Sequence, residues 1–195
     1  MQKTPWQPQQ AVQFIERTLR QQGRLLVGID GRCGSGKTTL AASLQAQLGA
    51  QVIHMDDFYL PLAQRAADWE SIPAGNMDLH RFVREVLHPL GRGEGGQYRP
   101  YRCALGQYDA PQRFEAAPLV VVEGSYSLHP LLREAYGLRL FVSCGKAVQA
   151  QRLQAREGAH YEAYVQRWIP LEERYFAACG LPDEAGVPVY TVCTD

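Results

Sequence analysis

Residues 25–48 read LLVGIDGRCGSGKTTLAASLQAQL, and their order is strand, glycine loop, helix. Leu25-Leu26-Val27-Gly28-Ile29 is a short apolar run of the kind a strand buried on both faces requires. Gly31 to Gly36 is a glycine-rich turn, and Thr38 to Leu48 reads as a helix. Within this stretch Gly31-Arg32-Cys33-Gly34-Ser35-Gly36-Lys37-Thr38 matches G-x-x-x-x-G-K-[ST] at every fixed position. The glycines let the backbone wrap closely, so that amides from Gly34 to Thr38 turn toward one polyphosphate, with the positive end of the helix dipole behind them. Gly31, Gly34, Ser35, Gly36, Lys37, Thr38 and Thr39 are therefore the candidate phosphate-binding residues. Lys37 reaches β and γ phosphates as a mobile point charge, and the Thr38 hydroxyl suits Mg²⁺, which takes oxygen ligands.

Outward from this stretch, strands and helices alternate. Val52-Ile53-His54-Met55, Leu119 to Val122, Leu138 to Val142 and Val189 to Val192 read as further strands. Ala11, Val12, Phe14, Ile15 and Leu19 recur at helical spacing, with Gly23 placed to end a helix. Leu79, Phe82, Val83, Val86, Leu87 and Leu90 make a second helical stripe ending near Pro89 and Gly91. Tyr161, Tyr164, Val165, Trp168 and Ile169 make a third, which Pro170 is expected to close. Gly91 to Tyr108 is the least regular part, a loop or a small hairpin. Nearly continuous apolar strands between helices predict an α/β fold with a parallel sheet covered on both faces, in one domain spanning 1–195 and opened by a helical extension over 1–23.

Two of the strands end in acids. Glu123 follows Leu119-Val120-Val121-Val122, which puts it at the carboxyl edge of the sheet, where α/β folds bind ligands. It is expected to hold Mg²⁺ through a water, together with Thr38. Asp56 and Asp57 follow Met55 at the same edge. Phosphoryl transfer needs a group that orients the acceptor hydroxyl and takes its proton, and one of these carboxylates fits that task. Side chains alternate along an extended strand, so only one of the two points into a given pocket.

Bulk composition narrows the classes. The 195 residues carry 20 Lys and Arg against 20 Asp and Glu, a formal charge of zero. A binder of long polyanions wants a basic excess, so neither nucleic acid nor an anionic membrane is an expected partner. No apolar stretch approaches the length of a membrane span. The five cysteines form no C-x-x-C pair, and residues 1–10 lack the apolar core of a signal peptide, so a reducing cytoplasm is the expected location. Cys33 reads as a small loop filler. Apolar surface patches leave room for a homo-oligomer.

GRCGSGKT, MDDFY, NMDLHRF, VVVEGSYSL and an arginine-bearing helix pair near the end, taken together, resemble the uridine kinase group of P-loop kinases, whose relatives include phosphoribulokinase, pantothenate kinase and nicotinamide riboside kinase. The likeness runs over nearly the whole chain after Arg24. It implies the P-loop NTPase three-layer fold, a five-stranded sheet in the order 2-3-1-4-5, and a lid over about 145–177. It also implies ATP and Mg²⁺, and a nucleoside-like small-molecule acceptor. By the same likeness Asp56 is the catalytic base, with Asp57 ranked second. Asp78 in Asn76-Met77-Asp78 falls where a carboxylate binds ribose hydroxyls, although it is also placed to cap the helix that follows. Tyr101 resembles the tyrosine that packs on the acceptor base. Arg152, Arg156 and Arg167 lie where lid arginines close over the triphosphate, Arg156 being the best match to the catalytic one, Arg152 going to the nucleotide and Arg167 to the substrate.

The pattern thins on the acceptor side. Tyr101 is followed by Arg102, Cys103 and Ala104 where uridine kinases carry a histidine, and the next histidine is His129. The family's D-H-P becomes Asp78-Leu79-His80, and Ala159 stands where a second arginine is expected. The triphosphate half is intact and the acceptor is left unnamed. Two other classes stay open, a P-loop ATPase or switch in which Asp56 orients water, and a nucleotide-binding module without catalysis. No Asn-Lys-x-Asp guanine-reading motif is present.

Overall fold

The computed structural model describes residues 4–182 and 189–194. Its centre is a five-stranded, all-parallel sheet built from β1 (Leu25–Gly31), β2 (Gln51–His54), β7 (Leu119–Glu123), β8 (Leu138–Ser143) and β9 (Val189–Cys193), in the order β2-β7-β1-β8-β9. Counted along the chain this is 2-3-1-4-5, as the resemblance implies. Every residue of β7 is buried, which is why the run Leu119 to Val122 has no polar alternation. The register sets Ile29 and His54 on either side of Glu123, so β1, β2 and β7 finish at one edge.

Helices cover both faces. On one face α1 (Pro8–Gln22) and α2 (Lys37–Leu48) bury Val12, Ile15 and Leu44 against Val27, Val121 and Leu140. The other face carries α3 (Leu79–Phe82), which runs through a π-turn (Val83–Leu87) into α4 (His88–Gly91), with α5 (Pro130–Arg133) beside it. There Phe82, Val86 and Leu132 pack with Ile53, Val122 and Phe141. Between α4 and β7 lie two small antiparallel ladders, β3 (Gly96–Tyr98) with β6 (Gln112–Phe114) and β4 (Tyr101–Arg102) with β5 (Gln107–Tyr108). No helix among the described residues is long and apolar enough to cross a membrane.

After β8 come α6 (Lys146–Glu157), α7 (Tyr161–Ala163), a π-turn (Tyr164–Trp168) and α8 (Ile169–Cys179). Pro170 does not close the third helical stripe, contrary to the sequence expectation. It sits in the first turn of α8, directly after the π-turn. A proline removes one N–H and crowds the carbonyl four residues back, and a turn already bonded five residues apart has given up that pairing. The second sequence strand begins and ends one residue earlier than expected. It stops at His54, and Met55–Phe58 form a 3₁₀ turn that carries both aspartates.

The chain start closes the sheet's open edge. The Trp6 amide donates to the Thr191 carbonyl at 2.8 Å, and the Cys193 amide donates to the Trp6 carbonyl at 2.8 Å. The Trp6 ring stacks on Tyr190 at 4.3 Å and meets Phe14 at 4.8 Å. A paired, aromatic-covered edge is no template for a foreign strand.

Candidate active site

A cavity of about 800 Å³ runs along the carboxyl edge of the sheet. The loop after β1 lies at its middle, because β1 is the central strand. The Asp56 segment after β2 and Thr194 after β9 reach it from the two outer strands. Four strand spacings separate those strands, roughly 19 Å, enough for a triphosphate with a small acceptor beyond it.

The loop itself is shaped by close approach. Gly31 has φ 135°, and a Cβ there would stand 1.9 Å from the Val142 carbonyl oxygen, so no other residue fits against β8. Gly36, at φ 96°, makes the left-handed turn into α2. The Gly31 amide donates to Asp30 Oδ1 at 2.7 Å, and it is not one of the amides, Gly34 to Thr38, that the sequence singles out as converging. The Ser35 amide donates to the Arg32 carbonyl at 3.1 Å, and the Ser35 side chain is fully buried. The amides of Gly34 and Gly36 have no acceptor among the described residues. Those of Lys37, Thr38 and Thr39 open the first turn of α2, where no helical carbonyl can reach them. Lys37 Nζ donates to the carbonyls of Gly31 at 2.7 Å and Arg32 at 3.0 Å, and no carboxylate pairs with it among the described residues. A nearly buried ammonium held only by neutral oxygens is suited to a polyphosphate.

Thr38 Oγ1 lies 3.3 Å from Glu123 Oε2, with both groups lining the cavity. A hydroxyl and a carboxylate are hard oxygen donors, the set Mg²⁺ takes alongside phosphate oxygens and water, so these residues fit the cation. His54 Nδ1 meets Glu123 Oε1 at 2.5 Å, and that contact raises the imidazole pKa above its ordinary value.

Asp56 and Asp57 point apart, as the 3₁₀ turn requires. Asp57 is buried and faces Arg102 and Tyr98. Asp56 is exposed on the open cavity, and the protein that walls the cavity displaces enough of its surrounding water to raise its carboxyl pKa, with Lys37 opposing and the Glu123 charge adding. Asp78 does not line the cavity. Its Oδ1 accepts from the Arg81 amide at 3.0 Å as the cap of α3, and its Oδ2 stands 3.4 Å from the Arg81 guanidinium. Tyr101 is buried edge-on against Tyr108, 5.2 Å between centroids, and also lies outside the lining.

Arg152, Arg156 and Arg167 all line the cavity. Arg152 donates to Thr194 Oγ1 at 2.8 Å, Arg156 pairs with Glu157 at 2.6 Å, and Arg167 pairs with Glu70 at 2.6 Å. Pro8, Ser43 and Thr194 complete the wall on the β9 side.

Several lining residues escaped the sequence reading. Glu172 accepts from the Cys33 amide at 2.9 Å and from Ser125 Oγ at 2.6 Å, tying α8 to the phosphate loop. Its signal was an acid at the spacing of Tyr175, Phe176 and Cys179, on the face that α8 buries. Tyr59, Arg65, Cys103 and Tyr126 line the β2 side; Tyr59 and Tyr126 stand inside MDDFY and VVVEGSYSL, whereas no motif announces Arg65 or Cys103. Asp30 is wholly buried, accepts from Leu128 N and Tyr175 Oη, and burial lifts its pKa to about 6.

No protein-family model matches the chain. Among solved structures, one described as a possible uridine kinase from Bacillus stearothermophilus superposes with a TM-score of 0.69 at 20% identity, over 93% of this chain and 98% of that one. This is the fold of the P-loop kinases. The same P-loop kinase fold appears in D-glycerate 3-kinase from Cryptococcus neoformans, with TM-score 0.56 and 18% identity over 85% and 87% of the two chains. Phosphoribulokinase from Rhodobacter spheroides follows, with TM-score 0.55 and 16% identity over 82% and 66%. The likeness to the uridine kinase-like group thus holds for the fold of the P-loop kinases, at identities that speak to fold alone.

Proposed function

We propose that the protein is an ATP-dependent kinase that transfers the γ-phosphate to a hydroxyl of a small acceptor. The observation that carries this reading is one cavity holding the phosphate loop, Lys37, the Thr38–Glu123 pair and Asp56. In this reading the free amides of Gly34 and Gly36 and the first turn of α2 cradle the β and γ phosphates, and Lys37 spans them. Mg²⁺, held at Thr38 and Glu123, would supply charge neutralisation for the phosphate oxygens. The acceptor oxygen attacks the γ phosphorus in line as the bond to the β–γ bridging oxygen breaks. ADP leaves, and the hydroxyl proton passes to Asp56. A carboxylate whose pKa is raised by loss of surrounding water is a stronger base than a free one, which suits the task. Arg152 and Arg156 face the triphosphate and offset its growing charge. Positioning supplies most of the acceleration in such chemistry.

The test is release of ADP with and without a panel of hydroxyl acceptors. Acceptor-dependent release supports a kinase. Release that ignores the acceptor makes the protein an ATPase, and ATP binding without release makes it a binding module.

A further inference from the structure

The acceptor end of the cavity has a polarity that the nucleoside expectation does not match. A free carboxylate is the strongest reader of a sugar diol, and among the described residues none is left at the β2 side apart from the proposed base. Asp57 is taken by Arg102 and Tyr98, Asp78 lies outside the lining, and both oxygens of Glu172 are engaged by Cys33 and Ser125. What remains is a cation. Arg65 lines the cavity from the segment after β2, with its Nε donating to the Leu60 carbonyl at 3.1 Å and its guanidinium 4.9 Å from the centre of the Trp69 ring. These two contacts orient the group without using its paired terminal nitrogens.

Of the four arginines lining the cavity, Arg156 and Arg167 have carboxylate partners, and Arg152 bonds to Thr194 beside the end of β9. Arg65 has no carboxylate partner among the described residues, and the side chain within its reach there is the Cys103 thiol. An oriented guanidinium whose terminal nitrogens meet only a thiol, a weak acceptor that an anion displaces, is the fork that takes a carboxylate or phosphate two bonds at a time. We propose that the acceptor is an acidic hydroxy compound whose carboxylate or phosphate is bound by Arg65, while the hydroxyl to be phosphorylated faces Asp56. The proposal rests on the kinase reading above. It makes Arg65 the residue that selects the acceptor class.

The experiment measures acceptor-dependent ADP release with matched probes: glycerol, glycerate and glycerol phosphate; ribose, ribonate and ribose phosphate; and uridine. The expected result is that an acidic member exceeds its neutral partner at least tenfold in kcat/KM, the carboxylate and phosphate arms showing which anion is read. Arg65→Gln should then raise KM for that acceptor at least thirtyfold, leave KM for ATP within threefold and keep the wild-type melting temperature, with Arg65→Lys recovering part of the loss. Neutral probes turning over as well as acidic ones, or an unchanged acceptor KM in Arg65→Gln, overturns the proposal while leaving the kinase reading standing. Equal ADP release with every probe and with none overturns the kinase reading, and the proposal with it.

Discussion

Arg102 holds one oxygen of Asp57 at 2.9 Å, and the Tyr98 hydroxyl donates to the other at 3.1 Å. Of two neighbouring acids, one is thereby committed to joining the β3–β6 and β4–β5 ladders to the sheet, and the other is left to the cavity. Asp56→Asn should keep ATP binding and lower transfer by about 10²–10⁴-fold, the usual worth of a general base. Asp57→Asn should keep transfer within about tenfold while losing about 2 kcal/mol of stability, the scale of a hydrogen bond to a charged group. Steady-state kinetics and denaturant melts on the two variants decide the assignment. The reverse pattern would make Asp57 the base.

Lys37 is tethered by two loop carbonyls and makes no ion pair with a carboxylate among the described residues. Lys37→Ala should lower transfer by about 10²–10³-fold, comparable to losing one preorganised transition-state donor. Calorimetric titration with ATP should show weakened binding in the same variant. Turnover close to wild type would remove Lys37 from the machinery.

Asp30 ties Gly31, Leu128 and Tyr175 together beneath the phosphate loop, and its pKa is raised from 3.8 to about 6. The folded form therefore binds a proton more tightly than the unfolded chain. The stability this gives is complete below pH 3.8 and is lost as pH rises through about 6. Between pH 5 and 7.5 the loss is about 1.4 kcal/mol, one pKa unit's worth. Asp30→Asn lacks that titration, so the stability gap between wild type and variant should narrow by this amount across the interval. Denaturant unfolding at both pH values measures it, and a gap independent of pH would assign Asp30 an ordinary pKa.

Trp6 pairs with β9 on its backbone and with Tyr190 and Phe14 on its ring, two residues before Pro8 reaches the cavity wall. Trp6→Ala should cost about 2 kcal/mol, less than the 3–5 kcal/mol of a fully buried tryptophan. It should raise KM for ATP more than KM for the acceptor, because the disturbed wall lies on the β9 side. Thermal melts and paired KM values read both effects.

The shape of the glycine loop was legible because it depends on backbone conformation. A Cβ at position 31 would stand 1.9 Å from the Val142 carbonyl oxygen, so the position needs glycine, and that need is written in one letter. The sheet was legible for a similar reason, since β7 has no polar face to interrupt its run. Of the two readings local pattern offered for Asp78, the chain forms the helix cap, with the Arg81 amide on its carboxylate. Tyr101 shows where local pattern stops carrying information, because the β4–β5 ladder turns its ring to Tyr108. Arg65 and Cys103 meet across 37 intervening positions, and such a meeting leaves no period or spacing to detect. The end of the strand at His54 was misjudged because Met55 is as apolar as a strand residue while serving as the first position of a turn.

The Cys33 peptide unit is gripped from both sides, its carbonyl by Gln149 Nε2 at 2.9 Å and its amide by Glu172 Oε2 at 2.9 Å. The stretch between those two side chains, which carries Arg152, Arg156 and Arg167, is therefore an arch with both feet on a single loop residue. A displacement of its arginines as one body therefore pulls on the Cys33 backbone. Both ends of the arch deliver that pull to the same turn of the glycine loop.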